Sequence, residues 1–232
     1  NLYRSIELTG GPAAGYTSAQ ALNALEEVAG EALPDDMGFE WSNMSYQEKK
    51  ASGTGSVVFV FALVFVFLIL AAQYESWSMP CSILLGTPFA ILGAFLALLL
   101  ARLFSQSYEF NIFAQIALVM LIAMAAKNAI LIVEFAKIEF DGGLSLFDAA
   151  IKAAQLRFRP ILMTAFSFIL GVLPLVVAAG AGAEARVVMG MALLGGMTVA
   201  TVLGVFFYPM LFILIGKLAR YEEKRELESQ SQ

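Results

Sequence analysis

Five long apolar stretches dominate the pattern of hydrophobic and polar residues along the chain. They predict membrane-spanning helices at about 51–74, 78–101, 110–136, 159–180 and 187–216. Each stretch reaches the ~20 residues that an α-helix needs to cross the hydrocarbon core of a bilayer. Lys127, in the third stretch, is the one charged residue near the middle of a predicted span.

The first fifty residues follow shorter periods and predict a partial α+β subdomain. Ile6 and Leu8 alternate with polar residues before a turn, and residues 37–41 place apolar side chains at every second position. Between these two predicted strands, Thr17 and Gln20 have the spacing of a capping box at the start of a helix. Such a β-α-β unit, half of a ferredoxin-like fold, buries too little apolar surface to be stable alone. Residues 1–50 are therefore interpreted as half of a domain whose other half lies elsewhere.

An amphipathic helix is predicted at about 143–156, between the third and fourth spans. Its apolar residues recur at spacings of three and four, which indicates a helix that lies along the cytoplasmic surface. Arg157 and Arg159 then precede Pro160, a residue that is tolerated in the first turn of a helix. The two arginines could equally anchor the fourth span at the interface. Residues 218–232 are predicted to be a charged cytoplasmic tail.

Small residues recur at four-residue steps on two of the predicted spans. These two stripes are Ala192, Gly196, Ala200 and Gly204 on the last span and Gly86, Ala90 and Ala94 on the second. Small residues at this spacing let membrane helices approach closely. The pattern predicts that the five spans form a tight all-α bundle.

Composition supports a membrane protein and excludes several kinds of chemistry. Hydrophobic residues make up 59% of the chain and charged residues 14%, whereas a soluble domain has about 25% charged residues. The chain has no histidine, which excludes zinc-protease motifs and Ser-His pairs. Its single cysteine cannot form an internal disulfide, and its net charge of -5 gives no footprint for nucleic acid. We expect no metal site, no cofactor and no enzymatic activity.

The distribution of basic residues predicts the orientation in the bilayer. An odd number of spans puts the two ends of the chain on opposite sides of the membrane. If the first fifty residues lie outside, the cytoplasmic segments hold Lys137, Lys152, Arg157, Arg159, Lys217, Arg220, Lys224 and Arg225. The outer segments then hold Arg4, Lys49, Lys50, Arg102 and Arg186. This bias favours a cytoplasmic C-terminus.

Lys127 is the leading candidate for a functional residue. It precedes Lys137 by ten residues, or roughly 15 Å of helix, which places it near the middle of the membrane. A charge at that depth is costly and generally faces a partner or a water-filled path. None of the five spans has a carboxylate at a comparable depth. The acidic partner must therefore come from another chain or from a part of the protein outside this sequence.

Three polar residues are candidate companions of Lys127. Thr164 follows Arg157 by seven residues, about two helical turns, so the two side chains share a face of the fourth span. The Thr164 hydroxyl could relay a proton or bond back to a carbonyl of its own helix. Asn128, beside Lys127, is expected to form a hydrogen bond across helices.

Several longer motifs resemble one transporter family. They are "MSYQE", "AAQYESWSMP", "AAKNAILIVEFAK", "RFRPILMTAFSFILGVLPLV" and "GAGAEAR". In these motifs the chain resembles the C-terminal fifth to quarter of the multidrug efflux transporters of the resistance-nodulation-division superfamily, in its hydrophobe/amphiphile branch.

This resemblance implies a proton-driven antiporter of the bacterial inner membrane that exports drugs and other amphiphiles. Members are homotrimers with twelve membrane helices per subunit, and they work with a periplasmic adaptor protein and an outer-membrane channel. Residues 1–50 would complete a periplasmic porter subdomain, and the five spans would be the eighth to twelfth helices. By the same resemblance, Lys127 pairs with two aspartates of the fourth helix, and Arg157, Thr164 and Asn128 belong to the proton relay.

The resemblance covers only the end of such a transporter, so we do not expect this chain to transport without its N-terminal remainder. Two other interpretations stay open. The chain could be an orphan or truncated membrane module that packs against a full-length transporter without transporting. It could also belong to a relative in the superfamily that exports lipids or metals.

Overall fold

The structure is a computed structural model that describes residues 4–13, 16–34, 36–51, 55–104, 108, 110–180 and 182–219. Helices account for the regular structure of these residues. In chain order they are α1 (Ser18–Ala32), α2 (Asn43–Ala51), α3 (Gly55–Tyr74), α4 (Ser78–Leu84), α5 (Thr87–Arg102), α6 (Ile112–Asp141), α7 (Leu146–Val176) and α8 (Ala183–Leu218).

Five helical segments among the described residues are long and apolar enough to cross a bilayer. They are Val57–Tyr74, Ser78–Arg102, Ile112–Asp141, Leu146–Val176 and Ala183–Leu218. The number of membrane helices expected from the hydrophobic pattern is therefore confirmed. The second of these segments combines α4 and α5. The segment predicted as a surface helix forms the first part of α7, which continues through Pro160 into the fourth span.

The prediction of a β-α-β half of a ferredoxin-like subdomain is wrong. No strand occurs among the described residues, and α1 and α2 provide the regular structure before the first span. A strand needs backbone partners on a neighbouring strand, and an alternating pattern cannot supply them. The side chains of Ile6 and Leu8 are accordingly 88% and 91% exposed. The predicted helix is present as α1, and Thr17 and Gln20 form the expected capping box.

The second span is interrupted where α4 ends and α5 begins. Gly86 lies at this break, and Pro88 follows in the first turn of α5. Proline has no backbone N–H to donate and its ring clashes with the preceding turn, so a helix rarely continues through it unchanged. Proline alone does not explain the break, because α7 continues through Pro160 and α8 through Pro209. The break coincides with Gly86 and Pro88 together.

Helix α8 forms the centre of the bundle and packs against α5, α6 and α7. Its predicted stripe of small residues, Ala192 to Gly204, is buried. Helix α8 approaches α5 closely, and a Cβ added to Gly195 would lie 2.1 Å from the Cβ of Ala97. By contrast, Leu70 is the one residue of the first span, among those described, that the chain buries. The first span thus lies at the edge of the bundle.

Candidate functional site

Lys127 lies halfway along α6, on the face that the other described residues leave uncovered. Its sequence neighbours Ala126 and Asn128 are buried, whereas Lys127 itself is exposed. The exposed residues of this face recur at helical spacing. They are Ile116, Met120, Ala123, Lys127, Glu134 and Ile138. Within the described part of the chain, Lys127 has no hydrogen bond and no ion pair. Its ammonium is thus presented to whatever covers this face of α6.

Asn128 points the other way, into the bundle. It is 2% exposed, and neither its Oδ1 nor its Nδ2 atom has a hydrogen-bond partner among the described residues. The expected hydrogen bond across helices is not formed here. A buried amide left unpaired costs about 1–3 kcal/mol per group. Asn128 therefore has both a donor and an acceptor available for a polar group at this level of the bundle.

Arg157, on α7, is half-buried and faces α6. Its guanidinium carbon lies 3.3 Å from the centre of the Phe135 ring. Its Nε atom is buried and has no hydrogen-bond partner in the residues that the structure describes. The cation is therefore held against an aromatic face, with N–H donors to spare.

Thr164 is half-buried on α7, and its hydroxyl is used locally. The Oγ1 atom donates a hydrogen bond to the carbonyl oxygen of Ile161 at 3.0 Å. Of the two roles that the sequence left open, this geometry corresponds to the bond back to its own helix. The hydroxyl oxygen keeps its lone pairs and can still accept a hydrogen bond from another group.

The register between α6 and α7 places the four candidates relative to one another. Lys152 contacts Glu139 at 2.7 Å, and Arg157 contacts Phe135. The two helices are therefore antiparallel, and one residue forward on α7 corresponds to about one residue back on α6. Continuing seven residues beyond Arg157 brings Thr164 to the level of Lys127 and Asn128. Arg157 remains roughly 10 Å nearer the hairpin turn.

The four candidate residues do not form a closed site, because Lys127 lies on the exposed face of α6 whereas Asn128 points into the bundle. Lys127, Asn128 and Thr164 share one level, and Arg157 lies about two turns along. No hydrogen bond joins any two of them in the part of the chain described here. The four residues include two cations and no carboxylate, so they are chemically suited to receive acidic groups from outside this chain.

The sequence pattern did not single out two aromatic residues that contact the site or its helix. Phe135 lies eight residues after Lys127 and on a different face, and its role depends on the neighbouring helix. Tyr208 is buried in α8, and its hydroxyl donates to the carbonyl oxygen of Ala125 at 3.3 Å. The single tyrosine in an otherwise apolar span could have indicated such a hydrogen bond, because a buried hydroxyl generally requires an acceptor.

Comparison with known proteins identifies the family. The sequence profile of the AcrB/AcrD/AcrF family matches residues 1–216. The chain belongs to this family. The family resemblance inferred from the sequence motifs is thereby confirmed.

Individual members of the AcrB/AcrD/AcrF family are similar over most of the chain. The toluene efflux pump membrane transporter TtgB of Pseudomonas putida is 45% identical over 94% of this chain and 20% of its own length. The multidrug export protein AcrF of Escherichia coli is 42% identical over 91% of the chain and 20% of its own length. The multidrug resistance protein MdtF of the same species is 42% identical over 94% and 21%. The chain thus spans about a fifth of the length of these relatives.

Proposed function

We propose that this chain is the C-terminal membrane part of a proton-driven efflux transporter that exports drugs and other amphiphiles. Family membership and the names of the similar proteins support the transport of such compounds. The observation that carries the mechanism is Lys127, an ammonium halfway along an apolar helix, on a face that the described part of the chain does not cover. An efflux transporter of this kind is a secondary active transporter and not an enzyme.

In the proposed mechanism, Lys127 pairs with two aspartates that the N-terminal part of the transporter supplies. While the aspartates are ionised, the ion pair draws that part towards α6. Protonation of the aspartates removes their charge and releases Lys127, so proton entry changes the relative stability of two arrangements of the helices. Transport then follows from alternation between these two arrangements.

The other three residues are proposed to assist proton transfer. Thr164 is at the level of Lys127 and can accept a hydrogen bond there, and Asn128 has a free donor and a free acceptor at the same level. Arg157 has unused N–H donors nearer the cytoplasmic end. Together they place polar groups at two levels of an otherwise apolar bundle.

The proposed setting is the bacterial inner membrane, with the N-terminal part of the chain in the periplasm and the C-terminus in the cytoplasm. The working assembly is a homotrimer of complete subunits that joins a periplasmic adaptor protein and an outer-membrane channel. Because the chain spans a fifth of its relatives, it is proposed to be inactive without the remaining part.

Split complementation tests this proposal. Cells without efflux activity would make this chain together with the N-terminal four-fifths of a similar transporter, and dye efflux would be measured. We expect efflux from the pair and none from either part alone. Lys127→Ala should abolish the restored efflux, whereas Lys137→Ala, on the same helix, is the matched control.

Two results would contradict the proposal. Efflux that persists in Lys127→Ala would exclude the coupling role of this ammonium. Co-purification of the two parts without efflux, in cells where the uncut relative pumps, would favour a module that packs against a transporter without transporting.

A further inference from the structure

Arg157 is held in this bundle by an aromatic ring. Its guanidinium carbon is 3.3 Å from the centre of the Phe135 ring, which is the distance of two groups stacked in contact. Neither of the salt bridges among the described residues involves Arg157. The face of the phenylalanine ring is therefore the electrostatic partner that the described residues supply to this cation.

An arginine stays positively charged at such a position. A buried lysine can lose its proton, but the guanidinium remains protonated under all conditions found in proteins. Arg157 is half-buried and its Nε atom is fully covered, so part of its hydration shell is lost. The negative face of an aromatic ring compensates for some of that loss without consuming any N–H donor.

The hairpin between α6 and α7 holds the ring and the cation in register. Glu139 lies four residues after Phe135, about one turn, and forms its salt bridge with Lys152 across the same pair of helices. The turn that joins the helices includes Gly143, whose φ of +105° is a conformation that glycine adopts readily. The salt bridge and the turn thus place Phe135 and Arg157 side by side in the hairpin.

We propose that Phe135 is a positioning residue for Arg157. Its ring face keeps the guanidinium stacked against α6 and inside the bundle. The N–H groups lie at the edge of the guanidinium plane, so the stacked ring leaves them free for an oxygen acceptor. Without the ring, the long side chain extends towards water at the cytoplasmic end. The use of Arg157 in a proton path rests on the proposed function, whereas its placement by Phe135 does not.

The test separates electrostatics from packing. Ring fluorines reduce the negative potential over the face of the Phe135 ring and leave its shape nearly constant. The chain would be reconstituted in lipid nanodiscs with 15N-labelled arginine, and the Nε–H signal of Arg157 would be assigned by its loss in Arg157→Lys. Phe135 would then be replaced by phenylalanines with one, two and three ring fluorines. Hydrogen exchange of the Arg157 Nε–H would be measured for each.

We expect exchange to accelerate stepwise, several-fold by the third fluorine, as the guanidinium leaves the ring for water. Phe135→Leu should accelerate it as well and remove the ring-current shift of this signal, and Phe135→Trp should restore slow exchange. The same fluorine series at Phe212, a core residue of α8, is the matched control and should leave Arg157 unchanged.

An exchange rate that does not change across the fluorine series, in samples with unchanged helix content, would overturn the proposal. So would equal acceleration from the Phe212 series. Neither outcome depends on transport. A failure of the complementation experiment would leave this placement of Arg157 intact, and a failure here would leave the transport proposal standing.

Discussion

Tyr208 occupies the space that Gly86 leaves open at the break in the second span. A Cβ on Gly86 would lie 1.9 Å from Cε1 of the Tyr208 ring, and a Cβ on Gly204 would lie 2.5 Å from Cε2. The ring is thus enclosed between two glycines, and its hydroxyl bonds to the carbonyl oxygen of Ala125. One side chain of α8 thereby ties the break between α4 and α5 to the helix that carries Lys127.

Gly86→Ala should destabilise the bundle by about 1–3 kcal/mol, because an added methyl group would overlap the Tyr208 ring. Tyr208→Leu should recover part of this loss in the double variant, because the two residues share one space and couple energetically. Unfolding in mixed detergent would measure both effects. Gly171→Ala is the control, because the new Cβ there would have no atom within 4 Å apart from its chain neighbours and the nearby backbone of its own helix. Equal losses for Gly86→Ala with and without Tyr208 would contradict this contact.

Gly195→Ala should separate α5 from α8. The new Cβ would lie 2.1 Å from the Cβ of Ala97 and 2.7 Å from the carbonyl oxygen of Gly93, so one helix backbone must move. We expect a destabilisation of at least about 1–3 kcal/mol, since backbone cannot yield as a flexible side chain does. Hydrogen exchange of the α5 amides should accelerate, whereas that of the α1 amides should not. Unchanged protection of α5 would argue against this packing.

Asn111→Ala should weaken the start of α6. The Asn111 Oδ1 atom accepts hydrogen bonds from the backbone N–H groups of Phe113 and Ala114, at 3.0 and 3.2 Å. Loss of such a cap costs about 0.5–2 kcal/mol. Asn111→Asp retains an acceptor at the same position and should lose much less. The free energy of unfolding of the two variants tests this prediction. An equal decrease in both would show that the hydrogen bonds of the cap do not stabilise α6.

The packing of α1 on α2 should weaken in acid. A hydrogen bond from Lys49, and then one from Trp41, hold the pKa of Glu26 below its ordinary value of 4.5. A carboxyl group with a lowered pKa stabilises the fold fully above its ordinary pKa, and this contribution is lost as the pH falls through the lowered value. Trp41 fluorescence should therefore change at a pH below 4.5. Glu26→Gln should remove that transition, and Glu27→Gln, on the same helix, should retain it.

The candidate site was only partly predictable from the sequence. Lys127 could be singled out because a charge in an apolar run is a local feature, and its lack of an acidic partner could be read from the same run. The contact of Arg157 with Phe135 could not be predicted, since it depends on which residues of α6 and α7 lie side by side. The unpaired amide of Asn128 likewise depends on the helices around it.

The sequence by itself determined the five membrane helices and the capped start of α1. Both depend on neighbouring residues alone: a run of about 20 apolar residues satisfies its own backbone as a helix in lipid, and a capping box closes within one turn. Tertiary structure decided what requires a partner distant in sequence. The predicted strands, one around Ile6 and Leu8 and one over residues 37–41, are absent from the described residues because a strand needs another backbone beside it. Packing of the helices in register creates the close contacts at Gly86 and Gly195. It also brings the Phe135 ring against Arg157.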